Sequence, residues 1–238
     1  MNKIIFHSNE EGNTVTEDFY PVPAKKIVPS WFSNAKRYFI DDDNIDKKMV
    51  HLKGLSFKGC PALLDVFVSG YLLVTPCDII VSGKGNLKNI KVEEKFSRFC
   101  GDRGYTDEFP TPIGHNARNF FWYPNWSVEL EEGYSAIYIN PLNRFELPFT
   151  TVGGIIDSDK LISTGHITFF IDENFEGVIP KGTPYMQIFP FKRESWSMET
   201  INYSLEEILS RESESGKVLR VPEGGVYKKR FWSRKDYS

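Results

Sequence analysis

Between residues 133 and 191 the chain is a series of short apolar runs cut by Gly, Pro, Asn and Asp. Tyr134-Ser135-Ala136-Ile137-Tyr138-Ile139, Gly154-Ile155-Ile156-Asp157, His166-Ile167-Thr168-Phe169-Phe170-Ile171, Glu176-Gly177-Val178-Ile179 and Tyr185-Met186-Gln187-Ile188-Phe189 are too short for ordinary helices. They are rich in the β-branched and aromatic side chains that suit a pleated, half-buried surface. Several such runs at this spacing predict a mainly β fold, a jelly-roll-type sandwich or a barrel. Composition agrees, because the 238 residues hold five alanines (Ala24, Ala35, Ala62, Ala117, Ala136) against 19 Phe, 11 Tyr and 5 Trp. The best helix former is scarce, so strands are favoured.

Upstream, Tyr71-Leu72-Leu73-Val74, Asp78-Ile79-Ile80-Val81, Asn119-Phe120-Phe121-Trp122-Tyr123 and Trp126-Ser127-Val128-Glu129-Leu130 read as further strands. Pro61 at a helix-start position and Gly70 at a stop bracket a short helix. Near the C-terminus, Ser204-x-x-Glu207 is a capping box, Leu205, Ile208 and Leu209 form an apolar stripe, and Gly216 is expected to close the helix. The first fifty residues look irregular, with Val28-Pro29-Ser30-Trp31-Phe32 read as extended; residues 93–111 fit no template. The expected organisation is an N-terminal arm (1–50), a β-rich core (51–200) and a C-terminal helix with a basic aromatic tail (201–238).

The balance of 29 basic and 32 acidic residues, net charge -3, lacks the positive field of a nucleic-acid coat. The tail Lys228-Lys229-Arg230-Phe231-Trp232-Ser233-Arg234-Lys235 has phosphate-binding and stacking groups, but no second basic patch supports it. Docking on a sister subunit, or a solvated terminus, is the favoured reading. No apolar run nears the roughly 18 residues that span a bilayer, and the apolar stretch at residues 4–6 is too short for a signal peptide. Cys60, Cys77 and Cys100 include no Cys-x-x-Cys pair, so reduced and mostly buried thiols are expected.

Several chemistries are weighed and set aside. Asp42-x-Asn44-x-Asp46 imitates the start of a calcium loop, but Lys47 replaces the turn glycine and Lys53 the bidentate Glu. His115 and His166 lack a neighbouring ligand motif, and His166 reads as a satisfied core or interface group. There is no Gly-x-Ser-x-Gly, and Ser82-Gly83-Lys84-Gly85 lacks the rest of a phosphate loop.

The order of signals in residues 133–191 resembles the dUTPase-like (β-clip) proteins, the fold shared by dUTP pyrophosphatases and dCTP deaminases. Gly133-Tyr134-Ser135-Ala136 resembles the strand entering their second motif. Gly154-Ile155-Ile156-Asp157-Ser158-Asp159 resembles the third, and Ile179-Pro180-Lys181-Gly182-Thr183-Pro184-Tyr185-Met186-Gln187-Ile188 resembles the later hairpin. The resemblance implies a homotrimer and offers Asp157 as general base, with Asn143, Arg144, Asp159 and Gln187 as ligand-binding residues. No cofactor is expected outside that reading; magnesium would arrive with the nucleotide. The surroundings depart from the enzymes: Asp159 is followed by Lys160-Leu161-Ile162 where they carry Tyr-Arg-Gly, Arg144 lacks its serine, and Gly224-Gly225 is the sole echo of their glycine-rich arm. Asp157-Ser158-Asp159 is also ordinary turn chemistry.

A wider pattern also resembles a group of uncharacterised phage and bacterial proteins. It comprises Lys58-x-Cys60-Pro61 to Gly70-Tyr71, then Pro141-Leu142-Asn143-Arg144 with Leu147-Pro148-Phe149, and finally Phe189-Pro190-Phe191-Lys192-Arg193. It implies a shared fold and a phage or bacterial setting; with no signal peptide or membrane span expected, the setting is read as cytoplasmic or virion-associated, with a phage or host protein as partner. The expected function is non-enzymatic binding or assembly, with a divergent nucleoside triphosphate pyrophosphohydrolase acting at Asp157 as the alternative.

Overall fold

A computed structural model describes residues 2–9, 19–36, 56–104, 109–163, 165–219 and 227–238. The calcium-loop spacing at residues 41–46 and the pair Gly224-Gly225 lie outside them. The first strands in chain order are β1 (Ile4–Ser8), β2 (Val22–Pro23), β3 (Tyr71–Val74), β4 (Ile79–Ser82), β5 (Asn89–Lys91), β6 (Cys100–Gly104) and β7 (His115–Trp122). After these come β8 (Trp126–Leu130), β9 (Tyr134–Ile139), β10 (Phe149–Thr151), β11 (Gly154–Ile156), β12 (Ile167–Asp172), β13 (Gly177–Ile179) and β14 (Pro184–Lys192). The helices are α1 (Ser30–Ser33), α2 (Pro61–Val68) and α3 (Leu205–Leu219). The protein is mainly β, as expected.

Two compact units interleave along the chain: residues 1–27 with 70–193, and residues 28–69 with 194–236. The first holds every described strand. Its antiparallel sheets run β11-β9-β14-β3-β2, β10-β12-β7-β6, β13-β4-β5 and β1-β8; among the described residues none closes into a barrel. Side-chain alternation explains the strands with one wet face: in β4, Ile79 and Val81 are buried while Ile80 and Ser82 are exposed. Strand β12 instead reads as a continuous apolar run, and Phe169, Phe170 and Ile171 are all fully buried.

The core gathers around Trp122 of β7. Its ring lies parallel to that of Phe169, at 3.6 Å between centroids, and meets Phe149 and Tyr185 at 5.3 and 5.0 Å. Its Nε1 donates to Thr151 Oγ1 (3.0 Å), and Thr151 Oγ1 donates to the Tyr185 carbonyl (2.8 Å). The polar edge of a buried indole is thus satisfied, as burial requires. Glycine is essential at position 70, where φ is +75° and a Cβ would stand 2.4 Å from the Ile188 carbonyl oxygen.

Three local expectations change. Residues 4–8 form a strand rather than part of an irregular arm, because Ile4 to Ser8 find a full partner in Leu130 to Trp126. Residues 30–33 are helical rather than extended: Ser33 and Asn34 N–H donate to the Pro29 and Ser30 carbonyls (2.9 and 2.8 Å). A proline restricts the residue before it, so Pro29 constrains Val28 and leaves Ser30 free to turn. Gly216 lies inside α3, which runs on to Leu219, since an interior glycine costs only about 1 kcal/mol.

In the second unit, Trp31 and Phe32 pack against Phe67 of α2, at 5.5 and 4.6 Å between centroids. The tail returns to the same helix: Trp232 Nε1 and Lys235 Nζ donate to Asp65 Oδ2 (2.9 and 2.7 Å). Trp31, Phe32 and Trp232 thus have partners within the second unit, while Phe231 is 64% exposed.

A fully buried lysine, Lys88, sits in the first unit, its Nζ donating to the carbonyls of Glu173 and Phe175, each at 2.9 Å. These bonds hold the turn between β12 and β13. Lys88→Met should lower the unfolding free energy by about 3 kcal/mol, because it strips two buried carbonyls of a charged donor. The check is a lower denaturant midpoint with an unchanged slope; a loss under about 1 kcal/mol would show those carbonyls to be satisfied without it.

Candidate functional site

Strand register assembles the first candidate site. Lys192 of β14 stands opposite Tyr134 of β9, and Ile156 of β11 opposite Ala136. Three neighbouring strands therefore end together, bringing Gly133, Ser135, Asp157, Asp159 and Arg193 to one rim of the sheet. Arg193 binds there through its backbone and its side chain: its N–H donates to the Gly133 carbonyl (2.9 Å), and Nη1 donates to Tyr134 O (2.8 Å) and Ser135 Oγ (3.0 Å).

Asp159 completes a fork-to-fork pair with this guanidinium, Oδ1 accepting from Nη1 at 2.8 Å and Oδ2 from Nη2, while Oδ2 also accepts from the Gly133 N–H (2.9 Å). Only 3% of the Asp159 side chain is exposed. The Arg193 guanidinium and the Gly133 amide hold its carboxyl far below the usual range, and the pairing raises Arg193 in turn. Asp157 is half-exposed; its Oδ1 accepts from Ser135 Oγ at 2.6 Å and lies 3.4 Å from Arg193 Nη1. Its carbonyl accepts from the N–H groups of Lys160 and Leu161 (2.8 and 3.0 Å), so Asp157-Ser158-Asp159 is a backbone-bonded turn.

Arg144 is elsewhere. It follows the opposite end of β9 from Ser135, and six strand residues alone span roughly 17 Å. Its Nη1 donates to the Ile27 carbonyl (2.9 Å) and its Nε pairs with Glu146, leaving 11% of the side chain exposed. Asn143 beside it takes a left-handed conformation (φ 55°), tolerable for Asn and useful in a tight turn. Gln187 is buried on β14 and its Oε1 accepts from the Leu142 N–H (2.9 Å), which ties this turn to the sheet. The expected site residues thus fall into two groups, Asp157 with Asp159 and Asn143 with Arg144 and Gln187.

Arg144 borders a cleft of about 430 Å³ with apolar walls from Ile27, Leu147, Phe175 and Pro180, and with Glu146 and Lys181 also in its lining. A smaller groove of about 240 Å³ between β11 and β12 is lined by Tyr138, Ile155 and His166. His166 is exposed rather than a core group, its ring stacked on Phe121 at 4.3 Å. Tyr138 is buried and its phenol is pushed up to about 12, so it stays protonated. Cys77 and Cys100 are buried, with desolvation raising the Cys77 thiol to about 11; Cys60 is exposed. Among the described residues, no cluster of three or more His, Cys, Asp or Glu side chains could hold a metal ion. Nor is any described helix long and apolar enough to cross a membrane.

Comparison with protein-family models and with curated proteins finds no match to this chain. Geometry and residue chemistry therefore carry the functional argument. They single out Arg193, to which the sequence patterns assign no role. Its signal was positional: it is the first residue past the last strand, and antiparallel pairing of 134–139 with 187–192 puts it beside Gly133.

The clamp has a pH signature. A free Asp carboxyl titrates near 3.9, and Asp159 titrates lower when folded, so its contribution is complete above about pH 5 and fades as pH falls towards the folded value. Asp159→Asn should lower Tm at pH 7 by roughly 5 °C. The gap from wild type should narrow below about pH 4, and a gap that stays constant down to pH 2.5 would rule out the linkage.

Proposed function

We propose that the protein is a non-enzymatic binding or assembly protein on a dUTPase-like β scaffold, working as a homo-oligomer in a phage or bacterial cytoplasm or virion. One observation carries the reading: the two carboxylates best placed for catalysis are committed to Arg193 and to strand ends. Asp159 spends both oxygens on the clamp, and Asp157 faces Ser135 and the same guanidinium. A pyrophosphohydrolase needs an anionic base near a phosphate-binding cation and an attackable phosphorus. Here Arg144 stands at the far end of β9, and the cation beside Asp157 is Arg193, which is already paired with Asp159. The Arg144 cleft combines apolar walls with polar groups of both signs, Arg144, Lys181 and Glu146, and its volume lies in the range of ligand pockets. The whole-chain resemblance to phage and bacterial proteins supports the setting and a protein partner.

The purified protein, incubated with a panel of nucleoside triphosphates and magnesium, should release no pyrophosphate above a buffer control. Turnover in the wild type that disappears in Asp157→Asn, with unchanged far-ultraviolet circular dichroism, would establish the pyrophosphohydrolase instead.

A further inference from the structure

The chain passes between its two compact units at residues 27/28, 69/70 and 193/194. At each passage the residue on the first-unit side is pinned. Ile27 N–H donates to the Ala24 carbonyl (3.0 Å), and the Ile27 carbonyl accepts from Arg144 Nη1 (2.9 Å). The Gly70 carbonyl accepts from the Ala24 N–H (3.0 Å), and the left-handed turn there lies too close to the Ile188 carbonyl for any Cβ. Arg193 is held by Gly133 through its N–H and by Asp159 through its guanidinium. Every one of these partners belongs to the first unit. The hydrophobic core that runs from Phe19 and Leu73 through Trp122 to Tyr185 and Ile188 is likewise drawn from the first unit alone. Among the described residues of the second unit, Phe32 and Phe67 are the only buried apolar side chains, and every described side chain of α3 is exposed. What joins α1, α2 and the tail is local: Trp31 and Phe32 against Phe67, and Asp65 Oδ2 accepting from Trp232 and Lys235.

We infer that the second unit is a local-unfolding module: α1, α2 and the tail open and reclose while the first unit stays folded, with Ile27, Gly70 and Arg193 as fixed pivots. The free energy of opening a segment follows the apolar surface that it buries, and here one unit holds nearly all of it. Opening α1 and α2 gives up two buried aromatics and the Asp65 hydrogen bonds. Opening the first unit would break the Trp122 stack and every sheet at once. The pivots also stand where hinges are expected, at the ends of elements: Ile27 follows the turn of helix at 24–26, Gly70 lies between α2 and β3, and Arg193 follows β14. Arg144 and Asp159 act in this device as positioning residues, which fix where the chain leaves the first unit. Elements that rearrange on binding come from the low-stability end of a protein, so α1, α2 and the tail are the movable part and the β unit is their frame. The inference goes beyond the binding reading and does not depend on it.

Native-state amide hydrogen exchange on the full chain, read residue by residue by NMR, tests it. The hydrogen-bonded amides of Ser33, Leu64 and Ser69 should be protected at least about a hundredfold less than those of Thr75, Tyr123 and Val152. Their exchange should also rise less steeply with added denaturant, since a partial opening exposes less surface than global unfolding. The boundary should be sharp, with the amides of Ala24, Ile27 and Arg193 exchanging at the slow rate of the first unit. Asp65→Ala, which removes the acceptor shared by Trp232 and Lys235, should speed exchange at Ser33 and Leu64 about tenfold or more and leave Thr75 and Tyr123 unchanged. Equal protection in the two sets of amides would make the chain one cooperative unit and overturn the proposal. So would Ile27 and Arg193 amides that exchange as fast as Ser33, or an Asp65→Ala variant that speeds both sets alike.

Discussion

Trp122 and Phe169, parallel at 3.6 Å, form the contact on which the first unit turns. The two rings stand on adjacent strands of the four-stranded sheet, yet Trp122 reaches Tyr185, which belongs to the five-stranded one. Burying an indole so completely requires a partner for its N–H, and Thr151 provides one while donating onward to the Tyr185 backbone. One polar relay thereby joins β7, β10 and β14 inside an apolar core. A strand shifted by one residue would turn its buried side chains to the wrong face, so this packing also selects the register of each strand it touches.

Register is what makes the Arg193 clamp. With β14 set by Tyr185, Met186 and Ile188 in the core, Lys192 falls opposite Tyr134 and Arg193 must emerge beside Gly133. Exposed ion pairs in general contribute little, because water screens them and long side chains lose freedom. This pair differs in that Asp159 is almost wholly covered and its partner also satisfies backbone carbonyls of the neighbouring strand. Carboxylates in a turn after a strand can be catalytic or structural; what separates the two is whether a cation and a backbone amide have already taken their lone pairs. At Asp159 they have.

Local patterns with a short physical range were legible in the sequence. The runs 71–74, 126–130 and 134–139 coincide with β3, β8 and β9, and the Ser204 to Glu207 capping box opens α3. What escaped depends on partners distant in the chain. The five residues of β1 carry no strong strand signal, and they pair because β8, more than a hundred residues later, offers an edge. Lys88 reads as an ordinary surface lysine until the β12–β13 turn closes over it. In the candidate site, Asp157, Asp159 and Arg144 were found by pattern. Their separation was not, because nothing in the spacing of Arg144 and Asp157 reveals that they flank opposite ends of one strand.

The fate of the aromatic surplus follows the same logic. A chain with 35 aromatic residues and five alanines has a large apolar surface to place. The two ends of the sequence were the obvious places for the excess, yet Trp31 and Phe32 find Phe67, and Trp232 finds Asp65, all within the second unit. Apolar side chains stay exposed at several places, among them Leu87, Ile113 and Phe145 in the first unit and Trp196, Met198 and Phe231 in the second. A segment that leaves a sheet without a strand partner, and then enters a helix with no packed face, keeps its apolar groups in water at a cost set by area. The cost falls on the monomer alone. Hydrophobic surface left in water weakens the isolated chain and would strengthen any state that covers it.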